Sequence, residues 1–121
     1  MRLFVDDVRD PRQWLPAMRW FAGRDPSEAA EWRWVRDAFT AVACLETEQV
    51  EEVSLDFDLG PLEEFGDGHM VVSWIEERTA LDETYRPPAV HIHSSNISGR
   101  ERLEAAVRNI ERMIAERGGK R

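Results

Sequence analysis

The sequence predicts an α/β protein in which a parallel sheet of about four strands forms the middle of three layers. Short apolar runs with strand character recur at 2–5, 32–37, 50–55 and 89–93. Segments with helical spacing of apolar residues separate these runs, and polar residues directly follow most of them. Strands that alternate with helices favour a parallel sheet, because the crossover connections cover both of its faces.

The first strand is followed by an irregular segment. The apolar run at 3–5 ends at Asp6 and Asp7, which is typical of a buried strand that stops at a polar edge. The next twenty or so residues contain prolines, a glycine and aromatic residues, a mixture too broken for one regular helix. We expect an extended Trp- and Pro-rich loop at about 12–31, with a short helical turn at 26–31.

The next part of the chain predicts a second strand and a helix. Alternation over 32–37 favours a short strand, and apolar residues at helical spacing predict a helix over 38–48. Cys44 lies within this helical pattern and is the only cysteine, so it has no partner for an internal disulfide. We interpret it as a core residue, which fits a reducing, cytoplasmic location.

The second half of the chain continues the alternation of strands and helices. Ser98 is the expected N-terminal cap of the last helix, because serine accepts a hydrogen bond from a free backbone N–H group there. The predicted elements are, in order, a strand at 50–55, a glycine-containing acidic loop at 61–68, a helix at 70–81, a strand at 89–93 and a helix at about 99–117.

Length and composition fit a single domain over residues 1–121. Hydrophobic residues make up 42% of the chain and charged residues 33%, as in globular proteins. No apolar run reaches the roughly 20 residues that a membrane-spanning helix needs, so we expect no membrane partner. The net charge of −8 disfavours tight non-specific DNA binding, although the basic last helix can hold a phosphate or a short RNA end.

Acidic residues follow two of the predicted strands. Asp6 and Asp7 come after the first strand, and Asp56 and Asp58 come after the third. In an open parallel sheet these strand ends lie at one edge, where ligands bind. Carboxylates that lie close together repel one another unless a cation is present, and oxygen ligands favour Mg²⁺ or Mn²⁺. We therefore predict a divalent-metal site at this edge; the alternative is a set of loop charges facing water.

Other polar residues accompany the aspartates. His93 ends the fourth strand beside Ser94, which suits a general acid or base in phosphoester hydrolysis. Arg100, in the first turn of the last helix, can hold a phosphate together with backbone N–H groups. We interpret His91 as a satisfied sheet histidine, and we expect that His69 can reach the same edge from its loop.

The tryptophans are interpreted mainly as packing residues. Trp74 occurs at the helical spacing of a core position, and the other four are expected to pack the long first loop onto the body of the protein. A base-stacking role for one of them is the alternative, since any base can stack on an indole ring.

Four motifs occur in order along the chain. They are Leu-Phe-Val-Asp-Asp-Val-Arg-Asp-Pro at 3–11 with Trp14, Ser-Leu-Asp-Phe-Asp-Leu-Gly at 54–60, Gly-Asp-Gly-His at 66–69 and His-Ser-Ser-Asn-Ile-Ser-Gly-Arg at 93–100. Together they resemble the cyclic-phosphate-processing receiver domain family. That family resembles the receiver domains of response regulators, which implies a flavodoxin-like parallel sheet.

The resemblance implies roles for the residues at the strand ends. Asp6 and Asp7 match the metal-binding acid pair of receivers, Asp56 matches the phosphoacceptor aspartate, and Ser94 matches the small hydroxyl residue after the fourth strand. The fifth receiver strand and its lysine have no counterpart, because the only lysine is Lys120 near the end of the chain. An ordinary receiver needs that lysine, so the resemblance favours an enzyme.

The family's additional residues imply catalysis on nucleic-acid ends. We predict a phosphoesterase dependent on Mg²⁺ or Mn²⁺ that acts on cyclic phosphates, such as the 2′,3′-cyclic phosphate of an RNA terminus or a nucleotide. The predicted catalytic residues are Asp56, Asp58 and His93, the predicted phosphate-binding residues are Ser94, Asn96 and Arg100, and the predicted metal ligands are Asp6, Asp7 and Asp56.

Two departures from the family pattern leave alternatives open. Phe57 stands where the family usually has histidine, and His69 stands where it usually has a tyrosine-like residue, so His69 is a candidate to compensate for Phe57. One alternative function is a receiver-type signalling module phosphorylated on Asp56. The other is a non-catalytic domain that binds a protein partner through its acidic edge.

Overall fold

Residues 1–118 of the protein are described by a computed structural model, so Lys120 and the end of the basic tail lie outside the described residues. Within this range, four parallel strands form one sheet in the order β2-β1-β3-β4. The strands are β1 at Arg2–Val5, β2 at Trp32–Val35, β3 at Glu52–Leu55 and β4 at Ala89–Ile92. The predicted α/β fold with a receiver-like parallel sheet is confirmed.

The structure has five α-helices in the described residues; the three longest agree with the predicted helices to within about two residues at each end, and the two short ones fall in segments predicted as loops. The helices are α1 at Pro11–Trp14, α2 at Ala38–Thr47, α3 at Leu62–Phe65, α4 at Gly68–Leu81 and α5 at Ile97–Glu116. The short helix α3 falls in the predicted acidic loop. No helix over residues 1–118 is both long and apolar enough to pass through a membrane.

The prediction that Ser98 caps the last helix is wrong. Asn96 is the cap of α5, and its Oδ1 accepts a hydrogen bond from the backbone N–H of Gly99 at 2.9 Å. Asp37 and Asp67 cap α2 and α4 in the same manner. Each cap satisfies a backbone donor that would otherwise be free, which fixes the residue at which the helix begins. Because each of these helices follows a strand of the parallel sheet, it begins at the carboxyl edge of the sheet.

One face of the sheet packs against α2, α4 and α5. Leu3 and Val5 of β1, with Val53 and Leu55 of β3, point to this face because side chains alternate along a strand. All four are fully buried. Helix residues such as Ala41, Val72, Ile75, Leu103 and Ile110 complete this larger core.

The opposite face is covered by residues 11–31, which we call the covering segment. After α1 it consists of three 3₁₀ turns, at Leu15–Ala17, Arg19–Phe21 and Pro26–Glu31. Phe4 points to this face and is fully buried. It packs there with Leu15, Phe21, Ala29 and Trp32 in a second, smaller core. The covering segment is therefore the third layer of the fold.

Candidate metal and phosphate site

The site lies where the strand order changes direction beside β1. Asp6 follows β1, and its backbone N–H donates to the carbonyl oxygen of Val35 at 3.0 Å. Asp56 follows β3, and its backbone N–H donates to the carbonyl oxygen of Val5 at 3.0 Å. The sheet hydrogen bonds thus extend one residue past the strands and fix both aspartates at the edge where open parallel sheets bind ligands.

Three carboxylates converge at this edge. Asp6, Asp7 and Asp56 each bring one carboxylate oxygen within 4.8 Å of the other two. Asp6 is fully buried, and Asp56 is 8% exposed. Hard oxygen donors held this closely, with little water to screen their repulsion, form a set that suits Mg²⁺ or Mn²⁺. The residues present therefore fit the divalent cation that the receiver-like fold implies.

Asp6 is held as an oriented carboxylate. Its Oδ1 accepts hydrogen bonds from the backbone N–H groups of Val8 at 2.9 Å and Arg9 at 2.8 Å. Its Oδ2 lies 3.0 Å from His93 Nε2. Burial opposes ionisation, but the hydrogen bonds from His93 and the two backbone groups outweigh it, so the pKa of Asp6 is below its ordinary value. Asp6 is therefore ionised at neutral pH.

The pKa of Asp56 is shifted in the opposite direction, above its ordinary value. Burial raises the pKa of Asp56, and the negative charge of Asp6 raises it further. Interactions with His93, Ser94 and Arg9 favour the ionised form but do not cancel these effects. A positive ion among the carboxylates relieves this kind of repulsion. The raised pKa is therefore a second property of the cluster that fits a cation site.

Arg9 is a site residue that the sequence reasoning missed. Its Nη1 lies 3.2 Å from Asp6 Oδ2 and 3.7 Å from Asp56 Oδ2, and it also donates to the carbonyl oxygen of His93. The guanidinium group thus offsets part of the charge of the aspartates. The available signals were its place three residues after Asp6 and within the motif at 3–11, and both equally suit an arginine that faces solvent.

His93 is placed at the site, but its environment suits positioning better than proton transfer to a substrate. Its side chain is only 4% exposed, and its ring stacks on Phe4 with centroids 4.4 Å apart. Nδ1 lies 2.6 Å from Ser54 Oγ. Because a carboxylate only accepts, Nε2 donates to Asp6, and Nδ1 forms a hydrogen bond with the Ser54 hydroxyl. Both ring nitrogens are therefore already engaged.

Asp58 stands apart from the three clustered carboxylates. Its side chain is exposed, and its Oδ2 accepts a hydrogen bond from Asn96 Nδ2 at 3.1 Å. Asn96 therefore links the end of β3 to the start of α5 while it caps that helix. The buried Ser94 completes this turn, because its Oγ accepts from the backbone N–H of Asn96 at 3.2 Å. The expectation that all four aspartates gather in one cluster is corrected to three.

Two glycines allow α4 and α5 to approach the end of β3. A Cβ atom on Gly68 would lie 2.2 Å from the carbonyl oxygen of Asp56. A Cβ atom on Gly99 would lie 2.4 Å from Cγ of Phe57. Gly68 also donates its backbone N–H to the carbonyl oxygen of Phe57 at 2.9 Å. Both glycines belong to the sequence motifs, and they dock the two helices against the segment that carries Asp56.

Arg100 and His69, the remaining predicted residues, lie in different surroundings. Arg100 is exposed and lines a cavity of about 330 Å³ together with Ser94 and His93. His69 instead forms 3.4 Å contacts with Ser73 Oγ and Arg102 Nη2. The Arg102 guanidinium lies 5.4 Å from the centre of the Phe57 ring. His69 is thus connected to the Phe57 region through Arg102, and its hydrogen bonds do not reach the aspartates.

A larger cavity of about 740 Å³ lies at the other end of the sheet, around Thr79, Tyr85 and Arg117. The Arg117 guanidinium there donates to backbone carbonyl oxygens, including those of Tyr85 and Asp82. This arginine ties the end of α5 to the turn after α4. Size alone does not make this cavity the functional site, since the clustered carboxylates lie at the opposite edge.

The comparison with protein families gives a match over residues 1–109 to the family described as the cyclic-phosphate processing receiver domain. No curated protein and no solved structure matches the chain. The matched range contains all four strands and every residue of the aspartate cluster. The chain therefore belongs to the cyclic-phosphate processing receiver domain family, as its motifs predict.

Proposed function

We propose that the protein is a divalent-metal-dependent phosphoesterase that hydrolyses cyclic phosphates, in particular the 2′,3′-cyclic phosphate of a nucleotide or an RNA terminus. The supporting observation is the convergence of Asp6, Asp7 and Asp56 beside a cavity lined by Arg9 and Arg100. Carboxylates attract a cation, and guanidinium groups attract a phosphate. The family description adds a role in cyclic-phosphate processing.

The three clustered aspartates would hold Mg²⁺ or Mn²⁺. When bound, the cation supplies positive charge that stabilises the phosphate oxygens as negative charge builds up on them. His93 keeps Asp6 in a fixed orientation through the hydrogen bond from Nε2. Such a partner of a metal ligand limits its rotation, and this hydrogen bond also favours the ionised form of Asp6.

The phosphate is bound on the side of the site that faces α5. Arg100 supplies a forked donor from the first turn of this helix, and the buried Ser94 supplies a hydroxyl group. Asn96 was expected to contact the phosphate directly. Because its side chain already bonds Gly99 and Asp58, we assign it the positioning of this turn.

Hydrolysis forms one bond between a water oxygen and phosphorus and breaks one of the two ester bonds of the ring. Asp58 is the exposed carboxylate nearest in sequence to Asp56, and its Oδ2 accepts a hydrogen bond from Asn96 Nδ2 at 3.1 Å. We assign it the acceptance of a proton from the attacking water. The ester oxygen that leaves takes up a proton, so the product is a phosphomonoester with a free neighbouring hydroxyl group.

The test is hydrolysis of nucleoside 2′,3′-cyclic phosphates with Mg²⁺ or Mn²⁺, followed by separation of the 2′- and 3′-phosphate products. Asp56→Asn should lower kcat/KM by about 100-fold or more, because it removes a charged ligand. Glu111→Gln changes an exposed carboxylate on α5 away from the site and should keep full activity. Full hydrolysis by Asp56→Asn would overturn the proposed site.

Phosphorylation of Asp56 is a second candidate function. This aspartate follows the third strand, at the receiver's acceptor position, and it interacts with the Ser94 side chain. Incubation with acetyl phosphate and Mg²⁺ would then add the mass of one phosphate, and Asp56→Asn would lose that gain. Phosphorylation without hydrolysis of any cyclic phosphate would favour a signalling module over the enzyme.

A further inference from the structure

The cavity beside the aspartate cluster has two chemically different ends. His93, Ser94 and Arg100 form a polar end, next to the carboxylates. Trp14 and Met18 of the covering segment form an apolar end. A volume of about 330 Å³ falls at the lower end of the range for small-molecule sites. The cavity is therefore suited to a ligand that joins a phosphate to an apolar group.

Trp14 is the most exposed of the four tryptophans that were expected to pack the first loop onto the body. Trp32 is buried in the smaller core, with Trp20 and Trp34 packed against it. Trp74 contacts Tyr85 edge to face. Trp14 is 46% exposed at the mouth of the cavity. An exposed indole at this place leaves apolar surface in water that a planar ligand can cover.

The position of Trp14 is fixed by its own short helix. The Asp10 side chain caps α1 by accepting the backbone N–H of Arg12, and Pro11 sets the first backbone angle of the turn. The backbone N–H of Trp14 donates to the carbonyl oxygen of Asp10 at 3.0 Å. The Arg9 guanidinium lies 5.4 Å from the centre of the Trp14 ring. Arg9 thus connects the indole with the aspartates, since it also pairs with Asp6.

We propose that this cavity binds the base of a nucleotide, with Trp14 as the stacking surface. The inference rests on the proposed function, because it places the phosphate of the same nucleotide at the polar end. An indole beside a guanidinium group favours a flat aromatic ring over an alkyl chain. The net charge of −8 opposes contact with a long RNA backbone. The recognised part of the substrate is thus a single nucleotide, free or terminal.

The test compares a nucleotide with a phosphomonoester that lacks both the base and the ribose ring, and the Trp14 variants separate the contribution of the base. Calorimetric titrations in Mg²⁺ use adenosine 3′-phosphate and glycerol 2-phosphate with the wild-type protein and with Trp14→Ala, Trp14→Phe and Phe39→Ala. Wild type should bind the nucleotide about 5- to 100-fold more tightly than glycerol 2-phosphate, the range expected for one stacked base. Trp14→Ala should remove most of this preference, and Trp14→Phe should keep most of it.

Phe39→Ala is the matched control, because Phe39 is also an exposed aromatic residue, at the start of α2. It should leave the preference unchanged. Equal affinity of the wild type for both ligands, or an unchanged preference in Trp14→Ala, would overturn the base site. A preference that depends on Trp14 without hydrolysis of cyclic phosphates would support the base site and overturn only the proposed activity.

Discussion

Asp6 owes its orientation to the buried ring of His93. The ring is fixed on three sides, by Asp6 at Nε2, by Ser54 at Nδ1 and by Phe4 against its face. Partners of this kind behind a metal ligand limit its rotation and affect metal affinity. At the residue scale, we therefore infer that His93 contributes mainly by orienting Asp6, although it also lines the cavity.

Two replacements of His93 should separate the effect of its hydrogen bond to Asp6 from the effect of its stacking on Phe4. His93→Phe keeps an aromatic ring next to Phe4 but removes the donor to Asp6, so Mn²⁺ affinity should fall by about 10- to 100-fold. His93→Gln retains an N–H donor and should recover much of the affinity. Calorimetric titration measures both values, with near-ultraviolet circular dichroism as the check of folding. An unchanged affinity in His93→Phe would contradict the positioning role.

The aspartates of the site could be predicted from the sequence, whereas the role of His93 and the presence of Arg9 could not. Asp6 and Asp56 directly follow buried strands, and strand polarity alone brings such residues to one edge. The partners of His93 depend on which strands lie beside β4 and β1. Arg9 reaches the cluster only because the turn after Asp6 directs its side chain back over the edge.

At the scale of elements, the start of α5 carries the residues proposed to bind the phosphate. Ser94, Asn96 and Arg100 all lie in this turn, and it approaches β3 closely because Gly99 packs against the Phe57 side chain. The sequence predicted this helix to within about two residues. It did not distinguish Asn96 from Ser98 as the cap, because both residue types suit that position.

A side chain at Gly99 should force the helix and β3 apart. Alanine at this helical position would normally stabilise the helix, but Gly99→Ala should lower the free energy of unfolding by about 1–3 kcal/mol through overpacking. The loss should be smaller in a Phe57→Ala background, where most of the contacting ring is gone. Ser98→Ala, at the exposed neighbouring position, is the control. Urea titration of the wild type, the three single variants and the double variant gives the free energies of unfolding, and stabilisation by Gly99→Ala would contradict the close contact.

For the whole molecule, the covering segment is a structural layer and not only a lid over the site. Its residues Leu15 and Phe21 are almost fully buried and pack against Phe4 and Trp32. The alternating strand pattern predicted a sheet covered on both faces. It could not specify this layer, because its short turns leave no helical periodicity and its apolar residues find their partners only in the folded sheet.

Truncation of a buried side chain in the covering segment should therefore destabilise the entire fold. Leu15→Ala should lower the free energy of unfolding by about 2–5 kcal/mol, the usual result for a large apolar residue in a core. Leu81→Ala changes a residue that is 77% exposed and should cost less than about 0.5 kcal/mol. Urea unfolding measures both. Equal and small effects would mean that the segment is loosely attached to the sheet.

Glu52 links the layers of the fold by charge. It accepts two 2.9 Å hydrogen bonds from Arg24 of the covering segment, and it also pairs with Arg2 and His91 on the neighbouring strands. The bonds from Arg24 are the main reason that the pKa of Glu52 falls from 4.5 to about 2. Because the folded pKa is the lower one, this stabilisation is present above pH 4.5 and is lost as the pH falls towards 2.

The loss of stability caused by Glu52→Gln should depend on pH over the same range. At pH 7 the variant should be less stable than the wild type by on the order of 3 kcal/mol, and the difference should shrink between pH 4.5 and 2. Glu51→Gln is the matched control, since the Glu51 side chain is 58% exposed and, among residues 1–118, forms an ion pair only with Arg2, at 3.3 Å. Thermal unfolding across this pH range is the measurement, and a constant difference would contradict the assigned cause.

The most direct test of the cation site is a calorimetric titration of the metal-stripped protein with Mn²⁺. We predict binding of a single ion that weakens by at least about 10- to 100-fold in Asp56→Asn and is retained in Glu111→Gln. Equal binding by wild type and Asp56→Asn would place the ion elsewhere. No binding at all would contradict the metal site, and the three aspartates would then form only an acidic surface for a protein partner.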